Sequence, residues 1–370
     1  MKVICGKEEL LKGIQIILPV VTSKNTLPVL SNFLFETEDN RIKLSSTDLE
    51  IAVKCYIKGE ILEEGAVTIP AKRFADIIKE VSGEVEIRSD DTNQINIKSG
   101  KSKFTLMGIA SSEYPVIPQF PKENKFEIKK DVLSSMLKKT AFAASKDTQR
   151  YVLNGVYFIS EDGKIKMVST DGRRLAYTEN DLQAKISAKA IVPTKAVSDM
   201  LRLISGAETE ETATLGLSDS QISLEIDGVS FISTLIEGTF PNYEQVIPKK
   251  SESKIKLNIK ETLQAVRQMA LLTQDKMSSD RSSAVKFSFE AGLMRVSAST
   301  TGLGSGEAEI AVDYSGAAID INFNPNFIKE VLQNMEGESV SFEFTNALNP
   351  AVILPEKEKN YICVVMPMRV

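Results

Sequence analysis

No histidine occurs among these 370 residues, and that absence excludes more chemistry than any other feature. Without imidazole there is no Ser-His-Asp or Cys-His nucleophile, no histidine-ligated zinc and no histidine proton shuttle. Cysteine is scarce as well. Cys5, Cys55 and Cys363 are odd in number and too scattered for a metal knuckle or a disulfide framework, so they read as small buried hydrophobes in a reducing compartment. No run approaches the roughly 18 apolar residues that span a bilayer, and the opening MKVICGKEELLKGI carries charges where a signal peptide needs an apolar stretch. A cytosolic protein without a membrane partner is expected. Also missing are a GxxxxGK[ST] phosphate loop and a GxGxxG turn after a strand; TTGLGSGEAE, from Thr300 to Glu309, reads as a Gly/Ser-rich turn. Neither a cofactor nor a metal is expected.

What is present is an ordinary globular balance, 42% hydrophobic and 26% charged, in a chain long enough for two or three domains. The informative feature is an internal repeat. STDLEIAVKCYIKGEILEEGAVTIPAKRFADIIKEVSG, from Ser46, matches STDGRRLAYTENDLQAKISAKAIVPTKAVSDMLRLISG, from Ser169, without a gap. Asp48 and Asp171, Pro70 and Pro193, Lys72 and Lys195, and Gly83 and Gly206 all stand 123 apart (171 minus 48). The same offset relates Lys7 to Lys130 and Leu10 to Leu133, and a third copy starts 130 further on at Lys260 and Leu263 (260 minus 130). Three units are expected, over residues 1–122, 123–252 and 253–370, joined by the proline-dense segments EYPVIPQFPKENK and FPNYEQVIPKKSESK, which read as linkers.

Each unit spells helix, strands, helix, strands. The first helix carries apolar residues at helical spacing (Leu10, Gly13, Ile14, Ile17; Leu133, Met136, Leu137, Thr140) behind Glu8, Asp131 or Glu261, anions that suit a helix start. The second repeats i, i+3, i+4, i+7 three times: Phe74, Ile77, Ile78, Val81; Val197, Met200, Leu201, Ile204; Ile328, Val331, Leu332, Met335. Pro70, Pro193 and Pro325 open it, and Gly83, Gly206 and Gly337 close it. Between the helices, NFLFETEDNRIKLSS and GVYFISEDGKIKMVS read as hairpins. The polar sides of the helices repeatedly carry cations: Lys12, Lys72, Arg73 and Lys79; Lys138, Lys139, Lys195 and Arg202; Arg267 and Lys329. Recurrence on equivalent elements points to a shared polyanionic partner, although a single exposed lysine is usually just hydrated.

TDGRRLA, FPNYEQVIP and the terminal VVMPMR resemble the bacterial DNA polymerase III beta subunit, the sliding-clamp family, and the resemblance spans essentially the whole chain. It implies an α+β fold of three tandem clamp domains. Two chains would join head to tail in a six-domain ring, with helices lining a hole threaded by double-stranded DNA and sheets outside. Twelve helices spaced by about 9 to 10 Å leave a hole near 26 Å, room for a duplex about 20 Å wide. A net charge of -5 suits a protein retained by topology rather than by gripping phosphates.

The resemblance further implies a processivity factor without a catalytic residue. The cations above, with Lys24 and Lys146, would face DNA. A homodimer contact would use Phe104 and Leu106 against Leu271 and Leu272; adjacent Leu271 and Leu272 cannot share one helix stripe, so both are not intradomain core. A pocket for short peptide motifs of the replicative polymerase, the clamp loader and repair proteins would be built from Leu153, Thr170, Gly172, Arg174 and Leu175, with Pro241 and Val246. Asn324, Phe327, Leu348 and Pro350 would add to it, and Val364, Val365, Met366, Pro367, Met368 and Arg369 would close it. Arg173, Gln245, Phe327, Pro350 and Val370 depart from forms associated with the family and bear on the pocket's preference. Tyr361 to Val365 reads as a strand covered on both faces, which Pro367 ends, leaving the tail as flexible apolar surface. Two other readings carry different expectations. An enzyme would use Asp48 and Asp171, whose recurrence instead suggests a structural turn, and a repeat scaffold would bind protein but never DNA.

Overall fold

The computed structural model describes residues 1–22, 27–118, 124–184, 186–273 and 284–369. The first repeat comprises β1 (Lys2–Gly6), α1 (Lys7–Ile17), β2 (Asn32–Glu38), β3 (Arg41–Thr47), β4 (Ile51–Ile57), β5 (Glu60–Glu63), β6 (Ala66–Pro70), α2 (Ala71–Glu80), β7 (Glu84–Ser89), β8 (Gln94–Ser99) and β9 (Ser102–Met107). The second comprises β10 (Lys125–Lys129), α3 (Lys130–Ala141), β11 (Gly155–Glu161), β12 (Lys164–Thr170), β13 (Arg174–Asp181), β14 (Ala188–Pro193), α4 (Thr194–Gly206), β15 (Thr212–Leu217), β16 (Gln221–Ile226) and β17 (Val229–Thr234). The third comprises β18 (Ser253–Asn258), α5 (Ile259–Ala270), β19 (Val285–Glu290), β20 (Leu293–Thr300), β21 (Gly304–Ala311), β22 (Ile319–Phe323), α6 (Pro325–Gln333), β23 (Ser339–Phe344), β24 (Ala351–Pro355) and β25 (Tyr361–Val365).

The helices follow the apolar stripes. Leu10, Gly13, Ile14 and Ile17 are the buried residues of α1, and Leu133, Met136, Leu137 and Thr140 are buried on α3. Gly13 is required by close approach: a Cβ there would lie 2.5 Å from Leu44 Cδ1, so the helix accepts a poor helix former in order to sit against the sheet. Ile77 and Leu201 are only half-buried, because the buried stripes run through Ala71, Phe74, Ala75 and Ile78 and through Val197, Met200, Leu203 and Ile204 instead. Both predicted hairpins turn on left-handed pairs, Asp39 and Asn40 in one and Asp162 and Gly163 in the other, the geometry that matches strand twist.

Two expectations need correction. Each repeat begins with a strand ahead of its first helix, and β1, β10 and β18 pair with β7, β15 and β23 that follow the second helix. The stretch from Thr300 to Glu309 is a turn only as far as Gly304, after which β21 pairs along β20.

By internal contacts the chain forms two units, Met1–Asp131 with Lys195–Leu235, and Val132–Thr194 with Ile236–Val370. The first holds a five-stranded sheet, β5-β1-β7-β8-β9, and an eight-stranded sheet, β10-β15-β16-β17-β4-β3-β2-β6. The second holds the eight-stranded β14-β11-β12-β13-β25-β24-β23-β18 and the four-stranded β21-β20-β19-β22. Strands of successive repeats therefore share sheets, through β17 beside β4 and through β25 beside β13. In the second unit the core includes stacked rings, Phe287 over Phe342 at 6.2 Å and Phe289 over Phe344 at 4.9 Å. Among the described residues each proline-dense segment carries buried rings, Tyr114 in the first and Phe240 and Tyr243 in the second. All three cysteines are buried, and burial pushes each thiol up to about 12, which leaves no reactive thiolate.

Candidate functional site

The apolar cavity of the second unit begins at a turn that the sequence dictates locally. Between β12 and β13, the Asp171 carboxylate accepts from the Arg173 and Arg174 amides at 2.8 and 3.0 Å. Thr170 Oγ1 accepts from Gly172 N–H at 3.0 Å and donates to the Arg174 carbonyl at 2.6 Å. This closes a tight loop whose third residue, Gly172, has φ +83°, the left-handed region that glycine enters without steric cost. Asp171 is thus a turn former, and Asp48 makes the same bonds in the first repeat.

Around that loop the structure opens a cavity of about 130 Å³. Thr170, Gly172, Arg174 and Leu175 line it from the turn and β13, Leu153 from the segment before β11, and Pro241 and Val246 from the segment after β17. Val364 and Met366 complete it from the C-terminal end. Arg173, expected to bear on the pocket's preference, also lines it, as do Asn242 and Tyr243, which were not expected there. Tyr243 could have been found as the aromatic of FPNYEQVIP, since a ring in a proline-rich segment needs something to pack on; it stacks on Tyr177 at 5.9 Å. Burial, then nearby Glu244, pushes the Tyr243 phenol up to about 12, so it stays neutral.

Arg174 ties the cavity to α6. It is 7% exposed, pairs with Glu330, donates to the Phe142 carbonyl at 2.7 Å, and carries its guanidinium 4.7 Å from the Phe327 ring. Its Nε lies 3.3 Å from Asp171, an attraction without an aligned hydrogen bond. Phe327 therefore supports Arg174 and packs on the core instead of lining the cavity. Asn324 caps α6 by accepting from the Asn326 amide. Leu348 is 64% exposed and Pro350 half-buried; neither they nor Asn324 line the cavity.

The C-terminal stretch divides near Met366, but it is not loose. Tyr361, Val364 and Val365 are buried within β25, whose neighbours are β13 and β24. Beyond it Met366 N–H donates to the Arg173 carbonyl at 2.8 Å and Met368 N–H to the Asn322 carbonyl at 2.7 Å. Those two bonds correct the expectation of a flexible tail. Pro367 and Met368 are half-buried and Arg369 exposed, while Val370 lies outside the described residues.

Of the basic residues, Lys12, Lys72, Arg73, Lys79, Lys138, Lys146, Lys195 and Arg267 are exposed and Lys329 is half-buried; Lys24 lies outside the described residues. Two assignments fail. Lys139 is 6% exposed, with its Nζ 2.8 Å from both Glu358 oxygens and 3.7 Å from Glu336, so its charge serves the fold. Arg202 is half-buried and donates to the Gln15 and Ile16 carbonyls and to Asp199, satisfying the free carbonyls at the end of α1. Lys195 pairs with Asp48, which compensates its charge.

Phe104 and Leu106 lie half-buried on β9, at the end of its sheet. Leu271 is 82% exposed whereas Leu272 packs against the core, as one stripe cannot hold both.

Three family descriptions cover the chain: DNA polymerase III beta subunit, N-terminal domain over residues 1–118, central domain over 127–242 and C-terminal domain over 244–369. The beta sliding clamp of Chlamydia pneumoniae is 34% identical over 372 residues, covering 100% of this chain and 99% of the relative. That of Bacillus subtilis is 27% identical over the full length of both. Among solved structures, the Bacillus subtilis sliding clamp superposes with a TM-score of 0.95 at 26% identity, covering 100% of this chain and 99% of that one. The Pseudomonas aeruginosa sliding clamp bound to griselimycin gives 0.93 at 29% identity over the full length of both. With all three clamp domains matched in order, the chain belongs to the DNA polymerase III beta subunit family.

Proposed function

We propose that this chain is a DNA sliding clamp, a cytosolic, non-catalytic processivity factor. Two copies join head to tail around duplex DNA and tether the replicative polymerase, the clamp loader and repair proteins by short peptides. The observation that carries the peptide-binding part is the apolar cavity at Leu153, Leu175, Val246, Val364 and Met366, a concave site of several elements rimmed by few polar groups. The repeat boundaries proposed for the three domains are 1–122, 123–252 and 253–370. The exposed cations Lys12, Lys72, Arg73, Lys79, Lys138, Lys146 and Arg267 offset repulsion from phosphates inside the ring, a role also assigned to half-buried Lys329 and to Lys24, which lies outside the described residues. Because the chain as a whole carries -5, the protein holds DNA by enclosure and lets it slide.

Retention on DNA tests this directly. Clamp loaded onto circular DNA should survive a high-salt wash and leave once the circle is cut; equal loss from circular and linear DNA defeats the proposal. Closure has its own test. Leu271 is exposed and Leu272 is core, so Leu271→Asp alone should yield folded monomers near 40.7 kDa by light scattering, with the unfolding midpoint unchanged. An undiminished dimer would remove Leu271 from the contact.

A further inference from the structure

Arg174 lines the cavity, yet its charged end is turned away from it. The residue is 7% exposed, and its guanidinium ends on groups outside the lining: Nη1 on the Glu330 carboxylate and Nη2 on the Phe142 carbonyl, 2.7 Å away. The rings of Phe142 and Phe327 lie 5.4 and 4.7 Å from its central carbon. Nε faces Asp171 at 3.3 Å without an aligned hydrogen bond, and that carboxylate already accepts from two amides of the turn. Among the described residues, Glu330 is therefore the counter-charge that the guanidinium does not share. Its backbone is held as well, since Asn334 Nδ2 donates to the Glu330 carbonyl at 2.8 Å, just past the end of α6.

The preceding repeat shows that the pairing is not a by-product of the duplication. Val197 and Ile328 open equivalent apolar stripes 131 apart (328 minus 197), and the same offset sets Glu330 against Asp199 (330 minus 199). An acid thus stands at this place on both helices. Where the second turn has Arg174, however, the first has Ile51, and Asp199 pairs with Arg202 of its own helix at 3.2 Å. The acid reaches across to the turn only where an arginine borders the cavity.

We propose that Glu330 is a positioning residue for peptide binding, and that it sets the charge class the cavity accepts. It does not line the cavity and acts through Arg174. By anchoring the guanidinium behind the wall and cancelling its charge, it leaves an apolar surface suited to an uncharged side chain. A buried cation deprived of its partner is costly, and a carboxylate entering the cavity would then replace that partner. Arg173 also lines the cavity, but it is exposed and hydrated with or without Glu330, so it weighs equally on both states. The inference rests on the reading of the cavity as a peptide site.

The test uses the full-length protein labelled at Leu, Val and Met methyls, titrated by NMR with acetyl-Gly-Leu-Leu-Gly-amide and with acetyl-Gly-Leu-Glu-Gly-amide. Binding is read at Leu153, Val364 and Met366. Glu330→Gln keeps an acceptor for Arg174 but removes the charge, and should move the ratio of the two affinities about tenfold toward the acidic probe. Glu330→Asp, which keeps the charge on a shorter arm, should move it less. Adding Arg174→Met to Glu330→Gln should return the ratio to that of the parent, because the charge that Glu330 answers is gone. A purely structural Glu330 would weaken both probes alike. Equal weakening, an unmoved ratio, or a shift that survives Arg174→Met would each overturn the positioning role while leaving the peptide site standing. A parent protein in which neither probe moves these methyls would overturn the peptide site itself, and this inference with it.

Discussion

The turns Thr47 to Ile51 and Thr170 to Arg174 are the same object built twice. In both, a threonine hydroxyl accepts from the amide two residues on and donates to the carbonyl four on, and an aspartate caps the next two amides. The partner strand leaves each turn alike: Thr234 N–H donates to the Glu50 carbonyl at 2.9 Å and Met366 N–H to the Arg173 carbonyl at 2.8 Å. Three side chains differ, Leu49, Glu50 and Ile51 against Gly172, Arg173 and Arg174, and the first and last contrast most. Gly172 has none where Leu49, at φ +81° and 56% exposed, has a branched one; Arg174 reaches Glu330 where Ile51 is plain core. Backbone grammar is therefore inherited by both repeats, and binding capacity is set by which side chains the grammar displays.

The sharpest way to break that comparison is to give the second turn the first turn's residue. Arg174→Ile removes the partner of Glu330, a donor to the Phe142 carbonyl and the support of Phe327 at once. Losing one side of a buried pair costs about 3 to 5 kcal/mol, and the part-hydrated Glu330 puts this case at about 3 kcal/mol or less. The urea midpoint should fall clearly, and an apolar clamp-binding peptide should lose measurable affinity in calorimetry. A variant as stable as the parent would mean that the turn needs no arginine and that Arg174 is mere lining.

The fate of the basic residues shows where sequence reading succeeds and where it stops. Helix stripes, hairpin turns and the opposed environments of Leu271 and Leu272 follow from periods of two and 3.6 and from neighbours a few positions away. Lys138 and Lys139 look alike by those rules, yet only Lys138 is exposed, because Glu358, 219 positions along, comes to sit on Lys139. Tyr243 and the opening strands β1, β10 and β18 were missed for the same reason: each is defined by what it pairs with after a helix or a loop has intervened. For the cavity, the walls nearest the turn were legible, whereas the residues expected from the start of α6 do not line it. Asn324 and Phe327 act behind the surface, one capping the helix and one under the guanidinium.

A smaller effect separates fold from function at the seam. Removing residues 366–370 deletes the Met366 wall of the cavity and two backbone hydrogen bonds, while β25 remains between β13 and β24. Peptide affinity should drop at least about tenfold, or about 1.4 kcal/mol, as expected for one lost anchor. Stability should fall by no more than about 1 to 3 kcal/mol for the two bonds, and dimer mass should not change. Unchanged affinity would show that the tail lies outside the binding surface.

The smallest effect tests the third position of the two turns, where backbone and side chain disagree. Leu49 holds a left-handed conformation that costs a non-glycine residue about 1 to 3 kcal/mol, and its exposed side chain recovers little by burial. Leu49→Gly should therefore stabilise the protein by about 1 kcal/mol, net of the extra entropy that glycine gives the unfolded chain. The reciprocal Gly172→Leu should destabilise by a similar amount and also block the cavity, although its Cβ would meet only Arg150 Nη1, at 2.9 Å, the movable end of a flexible side chain. Opposite signs in paired denaturant melts, with peptide binding lost only in Gly172→Leu, would show that the two turns share one backbone. If Leu49→Gly is destabilising, Leu49 makes a contact that offsets its strain, and the equivalence of the two loops ends at their hydrogen bonds.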